Sequence, residues 1–326
     1  MKVVICGLGS MGKRRLRLLK KYDSSLEIFG VENNSERAKQ VEDEYKIKVY
    51  DSLQICYDSE KPSCLFVCSS PLSHYSIIKQ GLQLGMNIFT EINVVNDGYD
   101  ELIELANEKN LKLFLSSTMV YKPEIKYIIN KVKIDNQKVS YSYHVGQYLP
   151  DWHPWENFKN FFVNDKKTNG CREILTIQMP WIIKCFGDIE EVKTIKASIS
   201  DLNLSYPDTL MILVKHINGN IGTIFVDVVA RNAITDLVVQ GNNLFIQWNG
   251  SNKGLFDLDI STKQLNQIEF YTSTTHLKDY SKLIIEEPYL EEIKSFFEFV
   301  NNNTKPRYTF EEDKNVLQWI DKMEEV

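Results

Sequence analysis

The chain carries three glycines and a carboxylate at a spacing that suits phosphate and ribose. The stretch "VVICGLGSMGKRRLRLL" sets Gly7, Gly9 and Gly12 as G-x-G-x-x-G between an apolar strand pattern and a helical one. In such a turn the first glycine permits a tight reversal, the second lets backbone approach a pyrophosphate, and the third lets helix and strand pack closely. The amides of Ser10 and Met11 open the helix and can hold the anion. Glu32 ends the next strand pattern, 20 residues after Gly12. A carboxylate there accepts a hydrogen bond from the ribose 2′-hydroxyl and repels a 2′-phosphate. NAD is therefore expected in preference to NADP, with the nearby cation Arg37 opposing that preference.

A second acid, Glu91, stands at the tip of the strand pattern Asn87–Thr90 in "NIFTEINVV". Desolvation would make it a base, but its neighbours Ile92 and Asn93 offer no proton donor of useful pKa. "CSSPLSH", residues 68–74, follows another strand at the same edge. There Ser69, Ser70 and Pro71 can lie against a cofactor. His74 either starts a helix over it or is a plain helix-start residue.

These groups need strand tips side by side, and the patterning supplies them. Apolar runs at Val3–Cys6, Leu26–Val31, Lys48–Tyr50, Leu65–Cys68, Asn87–Thr90 and Leu111–Leu115 alternate with helical patterns. That alternation predicts an α/β domain at 1–118 with a parallel sheet covered on both faces. The character changes beyond about residue 120. Leu210–Ile217 and Ile221–Ala230 flank Asn218-Gly219, and Leu237–Gln240 and Leu244–Trp248 flank Gly241-Asn242, both hairpin signals. An α+β domain at 119–326 follows, with an open, mainly antiparallel sheet of five to seven strands. Two helices close it, one from Pro288 and one from Thr309 with Glu312 completing a capping box. The last helix is free to pack back on the first domain.

Composition narrows the partners. The 326 residues are 43% hydrophobic and 25% charged, with a net charge of -6 and no basic stripe, which argues against nucleic acid. No apolar run reaches the roughly 18 residues of a membrane span. The first strand starts too near Met1 to leave room for a signal peptide, so the cytoplasm is expected. The six cysteines form no C-x-x-C pair and read as buried reduced thiols; the five histidines show no zinc spacing.

Together the glycine fingerprint, "CSSPLSH", the strand ending in Glu91 and "GQYLPDWHPWENF" at 146–158 resemble the glucose–fructose oxidoreductase / inositol dehydrogenase family, Gfo/Idh/MocA. The resemblance spans nearly the whole chain. It implies a Rossmann domain followed by a sheet domain whose face carries substrate and often the oligomer contact. It implies oxidation or reduction of a sugar or cyclitol hydroxyl with NAD(P). The Gln-Tyr-Leu-Pro-x-Trp wording resembles members that build surface sugars.

The sequence departs from that pattern at the chemistry. The family has Glu-Lys-Pro where this chain has Glu91-Ile92-Asn93, and isoleucine cannot orient a hydroxyl or relay its proton. The family's His and Asp, three apart on a helix facing the nicotinamide, correspond to Ile177 and Pro180; Pro180 would bend or start that helix. His153 lies on the segment that passes near the nicotinamide in the family and has a suitable pKa. Tyr121 and Tyr148 are alternative donors, and Trp152 and Trp155 would wall the pocket. Glu91 is expected mainly as a cofactor and backbone contact.

Two functions follow. One is an NAD-dependent oxidoreductase acting on a sugar, cyclitol or nucleotide-sugar through a non-standard acid–base set. The other is a redox-inactive dinucleotide- or sugar-binding partner protein. A non-redox sugar enzyme with tightly held NAD ranks below both. A homodimer or homotetramer through the open sheet is expected.

Overall fold

The apolar runs of the first part become six parallel strands: β1 (Lys2–Cys6), β2 (Glu27–Val31), β3 (Val49–Tyr50), β4 (Cys64–Val67), β5 (Asn87–Thr90) and β6 (Leu113–Leu115). The computed structural model describes residues 1–152, 157–271 and 285–325. In it these strands lie in the order β3-β2-β1-β4-β5-β6, the doubly wound arrangement. β1, β4 and β5 are buried along nearly their whole length, as a sheet covered on both faces requires. Helices α1 (Ser10–Tyr22), α2 (Ser35–Tyr45), α3 (Leu53–Glu60), α4 (Pro71–Gln83) and α5 (Tyr99–Glu108) connect them. The order reverses between β1 and β4, so α1 and α4 both start beside that switch point, where open α/β sheets bind ligands.

Next come α6 (Pro123–Asp135), β7 (Val139–Gly146), α7 (Gly170–Phe186), β8 (Ile189–Ala197), β9 (Thr209–His216), β10 (Ile221–Asp227), β11 (Ile234–Gly241), β12 (Phe245–Trp248), β13 (Leu255–Asp259) and β14 (Gln264–Ile268). The strands form one eight-stranded sheet, β14-β13-β12-β11-β7-β10-β9-β8. That exceeds the five to seven expected, because β7 and β8 add to the hairpins that turn signals reveal. It is also not wholly antiparallel, since β7 runs parallel to β10. Asn218-Gly219 closes the β9–β10 hairpin, with Gly219 at φ +87.

Each central strand alternates. On β7, Tyr141 and Tyr143 turn to the buried face, where Tyr141 stacks on Phe186 at 3.9 Å and Tyr143 meets Trp181 edge-on at 5.4 Å, both from α7. The other face leaves Ile195, Met211, Leu213 and Ile221 more than half exposed. Pro180 does not start α7. The helix begins ten residues earlier, where the Asn169 side chain accepts from the amide of Arg172, and continues through the proline.

The chain ends in α8 (Glu287–Asn302) and α9 (Phe310–Glu325). Thr309 and Glu312 form the expected capping box, Thr309 N donating to Glu312 at 2.9 Å and Glu312 N to Thr309 Oγ1 at 3.3 Å. Two compact units result: Met1–Thr118 with Glu287–Lys314, and Met119–Glu286 with Asn315–Val326. A single cut at residue 118 therefore misplaces α8. This helix sets Phe296 edge-on against Phe66, Phe89 and Phe114 of three neighbouring strands, at 5.2, 5.7 and 5.8 Å. Such contacts add to apolar burial. All six cysteines are free and buried. Among the described residues no helix is long and apolar enough to cross a membrane.

Candidate dinucleotide site and its supports

The glycine turn links β1 to α1. Gly7 sits at φ +85, and a Cβ on it would lie 2.8 Å from the backbone of Ser69. A Cβ on Gly12 would lie 2.0 Å from the Gly7 carbonyl oxygen. The fold itself therefore demands these two glycines. Gly9 differs, because a Cβ there would meet nothing within 4 Å. Its smallness serves no contact of the protein, and it fits a ligand that must approach the backbone. Gly9 also caps α1, whose first turn has neither a side-chain cap nor an acid. Ser10 and Met11 thus begin a helix, where the first amides have no carbonyl within the helix to bond, the arrangement that suits a pyrophosphate. Gly9→Ala should leave thermal unfolding within about 0.5 kcal/mol of wild type while weakening NADH binding. Parallel melts and fluorescence titrations would check this, and unchanged NADH affinity would remove the pyrophosphate from this turn.

Glu32 ends β2 and is 8% exposed. It accepts from the amide of Leu8, inside the glycine turn, at 2.9 Å and from that of Asn34 at 2.9 Å. Arg37 donates to it at 3.2 Å. The acid thus braces the turn and keeps a lone pair for a ribose hydroxyl. Arg37, which sequence spacing set near it, is its ion-pair partner.

The residues after β4 hold one another. Ser69 Oγ lies 2.8 Å from Ser73 Oγ. Ser70 caps α4, and Pro71 takes its first turn. His74 is 2% exposed, and both ring nitrogens have protein partners: Nε2 is 3.0 Å from the Ser69 carbonyl and Nδ1 is 2.6 Å from Asn93 Oδ1. Burial lowers its pKa, against the pull of Asn93 and Ser69. The ring braces the loop and has no nitrogen left for a cofactor.

Glu91 is not a free base. Arg15, on α1 and fully buried, donates to it from Nε at 2.5 Å and Nη2 at 3.2 Å. The same guanidinium donates to Glu292 of α8 at 2.8 Å, to Ser116 Oγ at 3.1 Å and to the Tyr289 carbonyl at 3.1 Å, and lies 4.5 Å from the Phe89 ring centroid. Glu292 also accepts from Ser116 Oγ, the Ser117 amide and Thr118 Oγ1. Burial works against the charge on Arg15, but Glu91 and Glu292 outweigh it and raise its pKa.

In the second unit, Tyr121 is 2% exposed on a 3₁₀ turn, Thr118–Tyr121. Tyr148 lies under Arg231, 3.7 Å from its guanidinium. Trp152 donates from Nε1 to the Gln147 carbonyl at 3.2 Å. His153 and Trp155 lie outside the described residues. Gln178, beside Ile177, accepts from Tyr143 at 2.8 Å and Trp181 at 2.9 Å, so its oxygen is committed to the core. Sequence reasoning passed over Glu173, on the first turn of α7. Its Oε2 is closed to solvent with no hydrogen-bond partner among the described residues, and burial pushes its pKa up to about 8. An acid immediately before the mostly apolar run "ILTIQMPWII" was the available signal.

Strand order, glycine turn and Glu32 define a doubly wound fold of the dinucleotide-binding kind. Residues 1–117 match the family model GFO_IDH_MocA, described as an oxidoreductase family with an NAD-binding Rossmann fold. The chain thus resembles the Gfo/Idh/MocA family, and its first unit is an NAD-binding Rossmann unit. No curated protein sequence matches the chain. Among solved structures, it is similar to levoglucosan dehydrogenase in complex with NADH (15% identity, TM-score 0.80, covering 99% of this chain and 95% of that one). It is similar to the WlbA dehydrogenase of Bordetella pertussis in complex with NADH and UDP-GlcNAcA (12%, 0.78, 99% and 94%). It is also similar to biliverdin reductase of Synechocystis in complex with biliverdin and NADP+ (13%, 0.77, 99% and 97%). At such identities the likeness concerns the fold, an α/β unit followed by a larger, mainly antiparallel sheet.

Proposed function

We propose that the chain is an NAD-dependent oxidoreductase acting on a hydroxyl of a sugar, cyclitol or nucleotide-sugar. The observation that carries this reading is the glycine turn, where open space at Gly9 lies beside an uncapped α1 and the braced Glu32. Two structural neighbours, one a levoglucosan dehydrogenase and one holding a UDP-sugar, support the substrate class. NAD supplies the hydride acceptor. The protein must supply a group that exchanges a proton with the hydroxyl. Glu91 is held by Arg15, and Ile92, Ile177 and Pro180 cannot titrate, so the candidates for that role are His153, Tyr121 and, on α7, Glu173.

The competing reading is a partner protein that binds the dinucleotide without turnover, and the replaced residues at 92, 177 and 180 favour it. NADH titration followed by absorbance assays on sugars and UDP-sugars separates the two. Binding with turnover establishes the enzyme. Binding without turnover on the whole panel establishes the partner protein. No binding overturns both.

The exposed face around Met211 and Leu213 is proposed as the contact of a homodimer or homotetramer. Across it Met211 stands beside Ile195 and Phe225, and Leu213 beside Lys193 and Thr223. An apolar area of this kind favours association. Leu213→Glu should shift sedimentation to the monomer, and a wild type already monomeric at micromolar concentration would sink the proposal.

A further inference from the structure

A chain of buried polar groups runs away from the glycine turn. Ser69 forms the wall of that turn, since its backbone lies where a Gly7 Cβ would be. The Ser69 carbonyl is 3.0 Å from His74 Nε2, and His74 Nδ1 is 2.6 Å from Asn93 Oδ1. Asn93 Nδ2 donates to Tyr99 Oη at 2.8 Å, and Tyr99 donates to Asp313 at 2.5 Å. Tyr308 also donates to Asp313, at 2.7 Å. His74, Asn93, Tyr99 and Asp313 are each 3% exposed or less. Asn93, three residues past the end of β5, is bonded on both amide atoms.

We propose that Asn93 is a positioning residue for the dinucleotide, acting through His74 to fix the Ser69 carbonyl against the glycine turn. This rests on reading that turn as a dinucleotide site. A carbonyl only accepts, so Nε2 must carry a proton. With Asn93 Oδ1 on the ring, Nδ1 donates too, and every donor points one way, from His74 through Asn93 and Tyr99 to the Asp313 carboxylate. Reversing the Asn93 amide lets it donate to a neutral ring and accept from Tyr99, whose contact with Asp313 then needs a proton on the acid. The two arrangements hold the same number of protons. In both, Nε2 is protonated and Ser69 stays fixed. Without Asn93 the Nδ1 edge of the ring keeps only the longer contact to Thr90 Oγ1, at 3.3 Å, and its hold on the Ser69 carbonyl loosens.

The test combines nitrogen NMR of labelled histidine with NADH titration of the full chain and of Asn93→Leu and Asn93→Asp. The expected spectrum shows His74 protonated at Nε2. Leaving buried groups unpaired in Asn93→Leu should weaken NADH binding about 10- to 100-fold. Asn93→Asp keeps an acceptor on the ring and should restore binding to within about threefold of wild type, with His74 doubly protonated. A neutral ring protonated only at Nδ1 in the wild type overturns the inference, as does a folded Asn93→Leu that binds NADH like wild type. If Asn93→Leu does not fold, the tautomer and Asn93→Asp decide: a folded Asn93→Asp that loses NADH also overturns it. A wild type that binds no NADH instead removes the dinucleotide reading beneath it.

Discussion

Arg15→Met is expected to destabilise the protein by about 3–5 kcal/mol, the usual cost of leaving buried charges without their partner. The guanidinium holds two carboxylates, Glu91 and Glu292, that lie far apart along the chain. Removing it leaves both acids inside an aromatic cluster, where burial already raises the pKa of Glu292 despite Arg15 beside it. The damage should therefore be greatest near neutral pH and ease as the medium becomes acidic enough to protonate the orphaned acids. Chemical unfolding of wild type and variant at two pH values measures it. Arg15→Met combined with Glu91→Gln and Glu292→Leu should recover most of the loss, because no charge is then stranded. A loss below about 1 kcal/mol for the single variant would mean the cluster is worth no more than a surface pair.

The second large effect concerns Glu173. If it exchanges the proton of a substrate hydroxyl, Glu173→Gln should lower kcat about 10²–10⁴-fold with little change in NADH affinity. Hydroxyl oxidation needs the base form, so activity should rise as pH passes through about 8, the folded-state pKa. Stability runs the other way. The folded state holds the Glu173 proton more tightly than the unfolded chain, so stability falls as pH rises from the ordinary carboxylate range through about 8, then levels off. The slope is at most about 1.4 kcal/mol per pH unit. Melts of wild type against Glu173→Gln across that window isolate it. If the two curves stay parallel, the buried carboxyl does not titrate as described.

Local signals carried the first unit. G-x-G-x-x-G, the acid at residue 32 and the alternation of strand and helix all act within a few dozen residues. Hairpins with Asn-Gly turns were legible for the same reason. What escaped were partnerships across the chain. Arg15 meets Glu91 at a separation of 76 residues and Glu292 at 277, and nothing in "KRRLRLL" distinguishes Arg15 from the basic residues beside it. β7 alternates in "VSYSYHVG", yet its parallel pairing with β10 depends on an 81-residue offset in register that no short pattern encodes, Ile221 opposite Ser140 marking the first pair. In "EINVV" the sequence marks Ile92 and Asn93 only as departures from the Lys-Pro of the family it resembles. The structure gives Glu91 an ion pair and Asn93 two buried hydrogen bonds, so both have structural work whatever chemistry the chain performs.

The closure of the first unit by α8 sets a condition on biosynthesis. A nascent chain can lay down β1 to β6 early, but Arg15 then faces a single carboxylate and the flank of Phe66, Phe89 and Phe114 stays bare until Glu292 and Phe296 leave the ribosome. Emergence at about 5–20 residues per second makes that an interval of tens of seconds during which apolar surface is open to chaperones or to aggregation. A stalled chain ending before Glu287 should therefore be captured by chaperones and cut readily by protease, whereas one extended past Lys314 should resist.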